Sequence, residues 1–224
     1  VSTGPYESLN LSTSVGDDPE AVAENRRRVA AALGVPALTL AEQKHTCHVA
    51  VVADPVGHFP ATDALVTDRP GVALAMLAAD CVQVALWDPA HRAVGVAHAG
   101  RLGVQGDIVG RTLAAMASTY GTDPADVRAG IGPHVATESY EVGPAEVAAA
   151  RDALGDLAVV VPTSGGHGCL DLRAAVVGQL RRAGVPEHAV TAIDLDTRTA
   201  TDVLYSHRAE RPTGRFALVA VIDA

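Results

Sequence analysis

Between positions 49 and 97 the chain carries five short runs dominated by valine, leucine and alanine, at 49–53, 64–67, 72–78, 82–87 and 93–97. Several are apolar at consecutive positions instead of at alternate ones. A strand of that kind needs both faces covered, so the chain is confined to folds in which other layers enclose a central sheet.

The rest of the pattern supplies those layers. Asp17-Asp18-Pro19-Glu20 places an N-cap acid and a first-turn proline ahead of Val22, Val29, Ala32 and Leu33, which predicts a helix ending at Gly34. Apolar periodicity near 3.6 predicts further helices over 108–120 and 171–183, stopped by Gly121 and Gly184, and another over 145–154. Strand character returns at 127–131, 190–195 and 216–222. Strands first come in a run and then alternate with helices, so the expected class is mixed α/β, a layered α/β/α-type sheet with flanking helices. The 224 residues fit one domain, and Pro162 to Gly168 is a loop inside it, too short for a linker.

Composition narrows the partners. Lys and Arg number 17 against 26 Asp and Glu, a net charge of −9, which is the wrong sign for neutralising nucleic-acid phosphates or an anionic membrane. The longest apolar run, 72–79, is far short of the roughly 18 to 20 residues that span a bilayer. Three scattered cysteines, Cys47, Cys81 and Cys169, do not make a disulfide framework, and the first residues lack the basic and apolar regions of an export signal. A cytoplasmic protein is expected, as a monomer or small homo-oligomer.

No GxGxxG, GxxxxGK[ST] or GxSxG motif is present, which leaves dinucleotide, P-loop and serine-hydrolase chemistry without support. What remains is a set of ligand-type residues at predicted strand ends: His45 in EQKHTCH, Cys81 in AADCVQV and His98 in VGVAHAG. Two imidazoles and one thiolate hold zinc with a fourth position open for catalysis. Spacing alone leaves other readings in place. Cys81 also reads as a small buried hydrophobe, His98 as a strand-end histidine bonded to backbone, and His45 with Cys47 and His48 as a surface metal trap. The remaining histidines, His58, His91, His134, His167, His188 and His207, lie in loop-like stretches where exposure is the default.

Read with their surroundings, these residues resemble the YfiH-type laccase-domain family, also described as a purine nucleoside phosphorylase family and formerly as multicopper polyphenol oxidases. The resemblance covers nearly the whole chain. It runs through GPYESLNL and GDDPEAVAENR, QKH, DALVTDRPGVALAMLAADCVQVALWDP, VGVAHAG, IGPHVATESYEVG and YSHRAERPTGRFA. It implies a zinc ion held by His45, Cys81 and His98, with copper as the other metal such ligands take. It also implies phosphorolysis of purine nucleosides, adenosine deamination and cleavage of methylthioadenosine. Arg208 matches the first arginine of the family's SYRR segment and Arg101 follows HAG, so both are candidates for binding phosphate and for catalysis, the planar guanidinium fork being suited to phosphate oxygens. Asp80 is the candidate for orienting a metal-bound histidine or accepting a proton. Asn10 and His207 complete the candidate substrate- and phosphate-binding set.

The chain departs from the family pattern at several points. Arg101-Leu102-Gly103 replaces the usual Trp-Arg-Gly, Ala209 and His207 replace the second arginine and the tyrosine of SYRR, and Asp196-Thr197 replaces Cys-Thr. Val1 falls inside the family's glycine-rich opening, so the domain over 1–224 is expected to lack its N-terminal strand. Three competing functions stand beside the phosphorylase. A multicopper polyphenol oxidase needs histidines set largely in His-x-His pairs, and no His-x-His occurs. Editing hydrolysis of peptidoglycan precursors is a second alternative. The third is a non-enzymatic zinc-binding module, which a fourth ligand such as Cys47 or His48 would favour.

Overall fold

In the computed structural model, which describes residues 1–55 and 57–223, helix α1 (Pro19–Ala32) begins as its capping pattern requires. The Asp18 carboxylate accepts the Glu20 N–H at 2.9 Å and Pro19 fills the first turn. After β1 (Leu38–Leu40) and β2 (Val49–Val51) come β3 (Ala64–Thr67), β4 (Ala73–Ala78), β5 (Val82–Asp88) and β6 (Ala93–Ala99). Helices α2 (Arg101–Gln105) and α3 (Ile108–Tyr120) follow, then β7 (Arg128–Ile131), β8 (Glu141–Val142), α4 (Pro144–Leu154), β9 (Val160–Pro162), β10 (Gly168–Leu170), α5 (Leu172–Arg182), β11 (Val190–Ala192) and β12 (Phe216–Ala220).

A six-stranded sheet in the order β11-β7-β5-β6-β3-β2 forms the centre, antiparallel except for its two edge pairs. Strand alternation divides its side chains between two cores. Val82, Val84 and Leu86 of β5 join Ala93 and Ala97 of β6 beneath α2 to α5, meeting Ile108, Leu113, Met116, Val147 and Leu180. Leu65, Trp87, Val94 and Val96 point the other way, onto Leu74 and Met76 of β4 and Leu218 of β12. Those two strands belong to a second sheet, β1-β4-β12, which packs face to face on the first. Gly95 lets α3 approach closely, since a Cβ there would sit 3.0 Å from the Met116 sulfur. Beyond the second sheet, Val29 of α1 shares a cavity of 750 Å³ with Ala217 and Val219, the residues of β12 that alternate with Leu218 and Ala220.

The mixed α/β class is as expected. The expected flanking layers differ in one respect: the face of the large sheet away from α2–α5 is covered by a small sheet, with a helix outside that. Strands expected over 49–53, 190–195 and 216–222 end earlier, at Val51, Ala192 and Ala220. The expected 162–168 loop is the turn of the β9–β10 hairpin, with left-handed Gly165 and Gly166. Strands β1, β8, β9 and β10 and helix α2, two to five residues each, are too short to show a period. No helix among the described residues is long and apolar enough to cross a membrane.

Candidate metal centre

The register of the large sheet assembles the site. Val82 pairs with Ala99, so Cys81, one residue before β5, faces Gly100, one residue after β6. His98 lies near the end of β6, only 4% exposed. His45 comes from the loop between β1 and β2, held in the left-handed region at φ 56°. One ligand atom from each of the three residues lies within 4.8 Å of the others, and among the described residues theirs is the only such group. The two imidazole rings meet edge to face, with centroids 4.8 Å apart and planes at 66°. Tetrahedral zinc or copper sets such donors about 3.3–3.8 Å apart, so two nitrogens and one sulfur at this separation fit the ion with a small contraction. Space reserved for it is also visible at Gly100, where a Cβ would stand 2.6 Å from His45 Nδ1 and 3.1 Å from Cys81 Sγ. Neither Cys47 nor His48 joins the group. The Cys47 thiol rests 3.7 Å from the Gly103 carbonyl, and His48 Nδ1 bonds the Thr62 hydroxyl at 3.0 Å. Among the described residues the candidate group therefore consists of three donor side chains.

The residue that orients the histidine is not Asp80. It is Asp63, which sequence reasoning did not single out. Since Ala64 pairs with Ala97, Asp63 stands directly across from His98, whose N–H donates to the Asp63 carbonyl at 2.8 Å and whose Nδ1–H donates to Oδ1 at 2.8 Å. The same carboxylate accepts the N–H groups of Lys44, His45 and Thr46 at 3.1, 3.1 and 2.7 Å. Burial works against its charge, but the bonds from His98, Thr46 and Lys44 outweigh it and hold the carboxyl down at about 2. For His98 burial again opposes charge, and the neighbouring Cys81 with the Asp63 carboxylate overcomes it, raising the imidazole to about 9. His45 is pushed down by burial and by the neighbouring His98, with Arg101 and Arg215 adding to the effect.

Asp80, left-handed at φ 97°, turns its buried carboxylate the opposite way. It accepts the Thr197 and Ser206 hydroxyls at 2.7 and 2.6 Å and the Arg208 N–H at 2.7 Å, pinning the 197–208 segment beside Cys81. These donors explain why it orients no histidine. Asn10 is also corrected: it is fully buried, its NH₂ donates to Ser12 and Asp17, and its Oδ1 accepts the N–H groups of Ser12 and Arg215, which leaves nothing for a ligand. His207 is exposed at the edge of the site, its imidazole lowered by burial and by Arg211 and Arg215. Of the histidines expected in solvent, His134 is the exception, buried with Nδ1 2.8 Å from the Gly132 carbonyl.

Three guanidinium groups surround the triad. Arg101 opens α2 and acts on both His45 and Tyr140. Arg208 lies over the Tyr140 ring, 4.7 Å from its centroid, and donates to the Glu141 carbonyl at 2.9 Å. Arg215, a second residue that sequence reasoning missed, is half-buried and bonds through Nη1 to the Thr213 and Gly214 carbonyls. Among the described residues none of the three forms an ion pair with a carboxylate. A cavity of 1320 Å³ on the β5, β7 and β11 side of the molecule contains no member of the triad.

Known proteins resemble the chain in sequence and fold. The chain is 44% identical to a Streptomyces coelicolor protein named purine nucleoside phosphorylase, over 100% of its own length and 91% of that protein. It is 40% identical to a Mycobacterium tuberculosis protein of the same name, over 97% of this chain and 86% of the other. The crystal structure of YlmD from Geobacillus stearothermophilus superposes with a TM-score of 0.93 at 33% identity, covering 100% of this chain and 88% of that one. YfiH from Bacillus licheniformis gives 0.91 at 30% identity, covering 98% and 88%. Residues 1–223 match the family described as multi-copper polyphenol oxidoreductase laccase, and the chain belongs to that family.

Proposed function

We propose that this protein is a zinc-dependent purine nucleoside phosphorylase with adenosine deaminase activity. The observation that carries the reading is the group of three donor side chains, with Arg101, Arg208 and Arg215 nearby, none of which forms an ion pair with a carboxylate among the described residues. The names of the relatives at 40–44% identity support it. In phosphorolysis a phosphate oxygen forms a bond to C1′ of the nucleoside and the glycosidic bond to the purine nitrogen breaks. The base leaves with that electron pair and gains a proton, giving free purine and pentose 1-phosphate. Arg208 and Arg101 hold the phosphate and spread its charge. Asp80 fixes the Arg208 backbone, and Tyr140 offers an aromatic face beside the site. In deamination a water oxygen bonds to C6 of adenosine and ammonia leaves, giving inosine. Zinc, when held by His45, Cys81 and His98, supplies a Lewis acid that lowers the pKa of water. Adenosine, inosine, guanosine and methylthioadenosine are the expected substrates.

Copper oxidation of phenols has less support, because a three-ligand group provides no place for a multinuclear copper set. The zinc-binding module has less support, because among the described residues no fourth donor joins the group.

The test supplies zinc-loaded protein with adenosine, with and without phosphate, and separates the products by chromatography. Phosphate-dependent adenine together with phosphate-independent inosine is the expected result. No product in either sample overturns the proposal, and so does full turnover in Cys81→Ala.

A further inference from the structure

We infer that Asp63 is the positioning residue that sets both histidine ligands, one through its side chain and one through its backbone, an inference that rests on the reading of His45, Cys81 and His98 as metal ligands. Asp63 is 0% exposed and immediately precedes Ala64, whose side chain is part of the core under the helices. Its own position is therefore fixed by the sheet. From there the carboxylate reaches two segments, the end of β6 and the loop that leads into β2. On the β6 side it accepts a hydrogen bond from His98 Nδ1, which leaves Nε2 as the ring nitrogen toward Cys81 and His45 and the one to ligate an ion in exchange for its proton. On the loop side it accepts three consecutive amides, Lys44, His45 and Thr46, and the Thr46 hydroxyl at 2.9 Å.

Three successive N–H groups converge on one carboxylate only if the backbone between them turns sharply, and His45 is the residue that turns, at φ 56°. A non-glycine residue in this region is strained and persists where its surroundings over-determine it. The charge-assisted bonds to Asp63 are that determination. The strain at His45 and the tautomer of His98 therefore have one common origin. Gln43 steadies the near side of the loop without touching the ligands, its amide exchanging two 2.8 Å bonds with the Leu77 backbone. Cys81 needs no such device, since the strand register alone brings it opposite Gly100.

The experiment compares the whole protein with Asp63→Asn and Thr46→Val, using zinc alone as the probe and a chromophoric chelator as competitor. An asparagine keeps the shape but turns one acceptor oxygen into a donor facing amide protons. Zinc affinity is expected to fall about 10–100-fold in Asp63→Asn and by less in Thr46→Val. Unchanged affinity in a folded Asp63→Asn protein overturns the inference, including the case where only the thermal stability of the metal-free form drops. Should Asp63→Asn fail to fold, ¹⁵N spectra of histidine rings in the zinc-loaded wild type decide. His98 is expected to carry its proton on Nδ1 and to ligate through Nε2, and ligation through Nδ1 overturns the inference. Neither readout involves a nucleoside. A protein that passes both and turns over no nucleoside refutes the proposed function while leaving Asp63 in its role.

Discussion

Gly100 shows at the scale of one residue how little room the centre has. A methyl group there meets His45 and Cys81 at 2.6 and 3.1 Å, an overpacking penalty of about 1–3 kcal/mol that falls on the ion-bound form, since without an ion the His45 ring is free to turn aside. Gly100→Ala is expected to weaken zinc binding by roughly 10-fold or more while the melting temperature of the metal-free protein hardly moves, a split that chelator competition and calorimetry together reveal. Asp80→Asn is expected to do the reverse. It leaves three donors short of a full carboxylate, at about 1–3 kcal/mol of stability, keeps zinc affinity, and raises the KM for phosphate as Arg208 loses its anchor. Motif context made His45, Cys81 and His98 legible in the sequence. Asp63 was not, because its relation to His98 spans 35 residues and exists only through strand register. Asn10 misled for the opposite reason: a polar residue in a matching motif reads as a ligand contact until its four hydrogen bonds are seen to be filled from within.

Element boundaries followed the same logic. Helix α3 ends where the sequence places it, because Asp107 caps its start and left-handed Gly121 its finish. The shorter strands carry no pattern of their own and are fixed by partners far along the chain. The β5–β6 hairpin, which presents Cys81 and His98, depends on its own turn. Asp88 there is fully buried and accepts the Ala90 and His91 N–H groups at 2.9 and 3.2 Å and His91 Nδ1 at 2.8 Å. Burial opposes its charge, yet these bonds prevail and hold its carboxyl below the usual range. A group depressed in the folded state stabilises fully above its unfolded pKa, about 3.9, and the contribution drains away as pH falls toward the lower folded value. Asp88→Ala is therefore expected to cost about 1–3 kcal/mol at pH 7 and to flatten the acid limb of the stability profile below about pH 4. Denaturant titrations at several pH values measure both.

Over the whole molecule, the two cores share the six-stranded sheet as a common wall, so neither side unfolds without exposing the back of the other. A single calorimetric transition is expected despite the two cores, and two resolved peaks would contradict a one-domain architecture. Zinc at 100 times its Kd adds about 2.7 kcal/mol, which for a domain of this size raises the melting temperature by roughly 5–10 °C. The ligands themselves lie 36 and 17 residues apart in the chain, and they converge only after β3, β5 and β6 have paired. An unfolded chain therefore does not present these three donors together. On the proposed reading the three-donor site is made by the fold, so zinc is expected to bind the folded chain in preference to the unfolded one and to stabilise it by mass action.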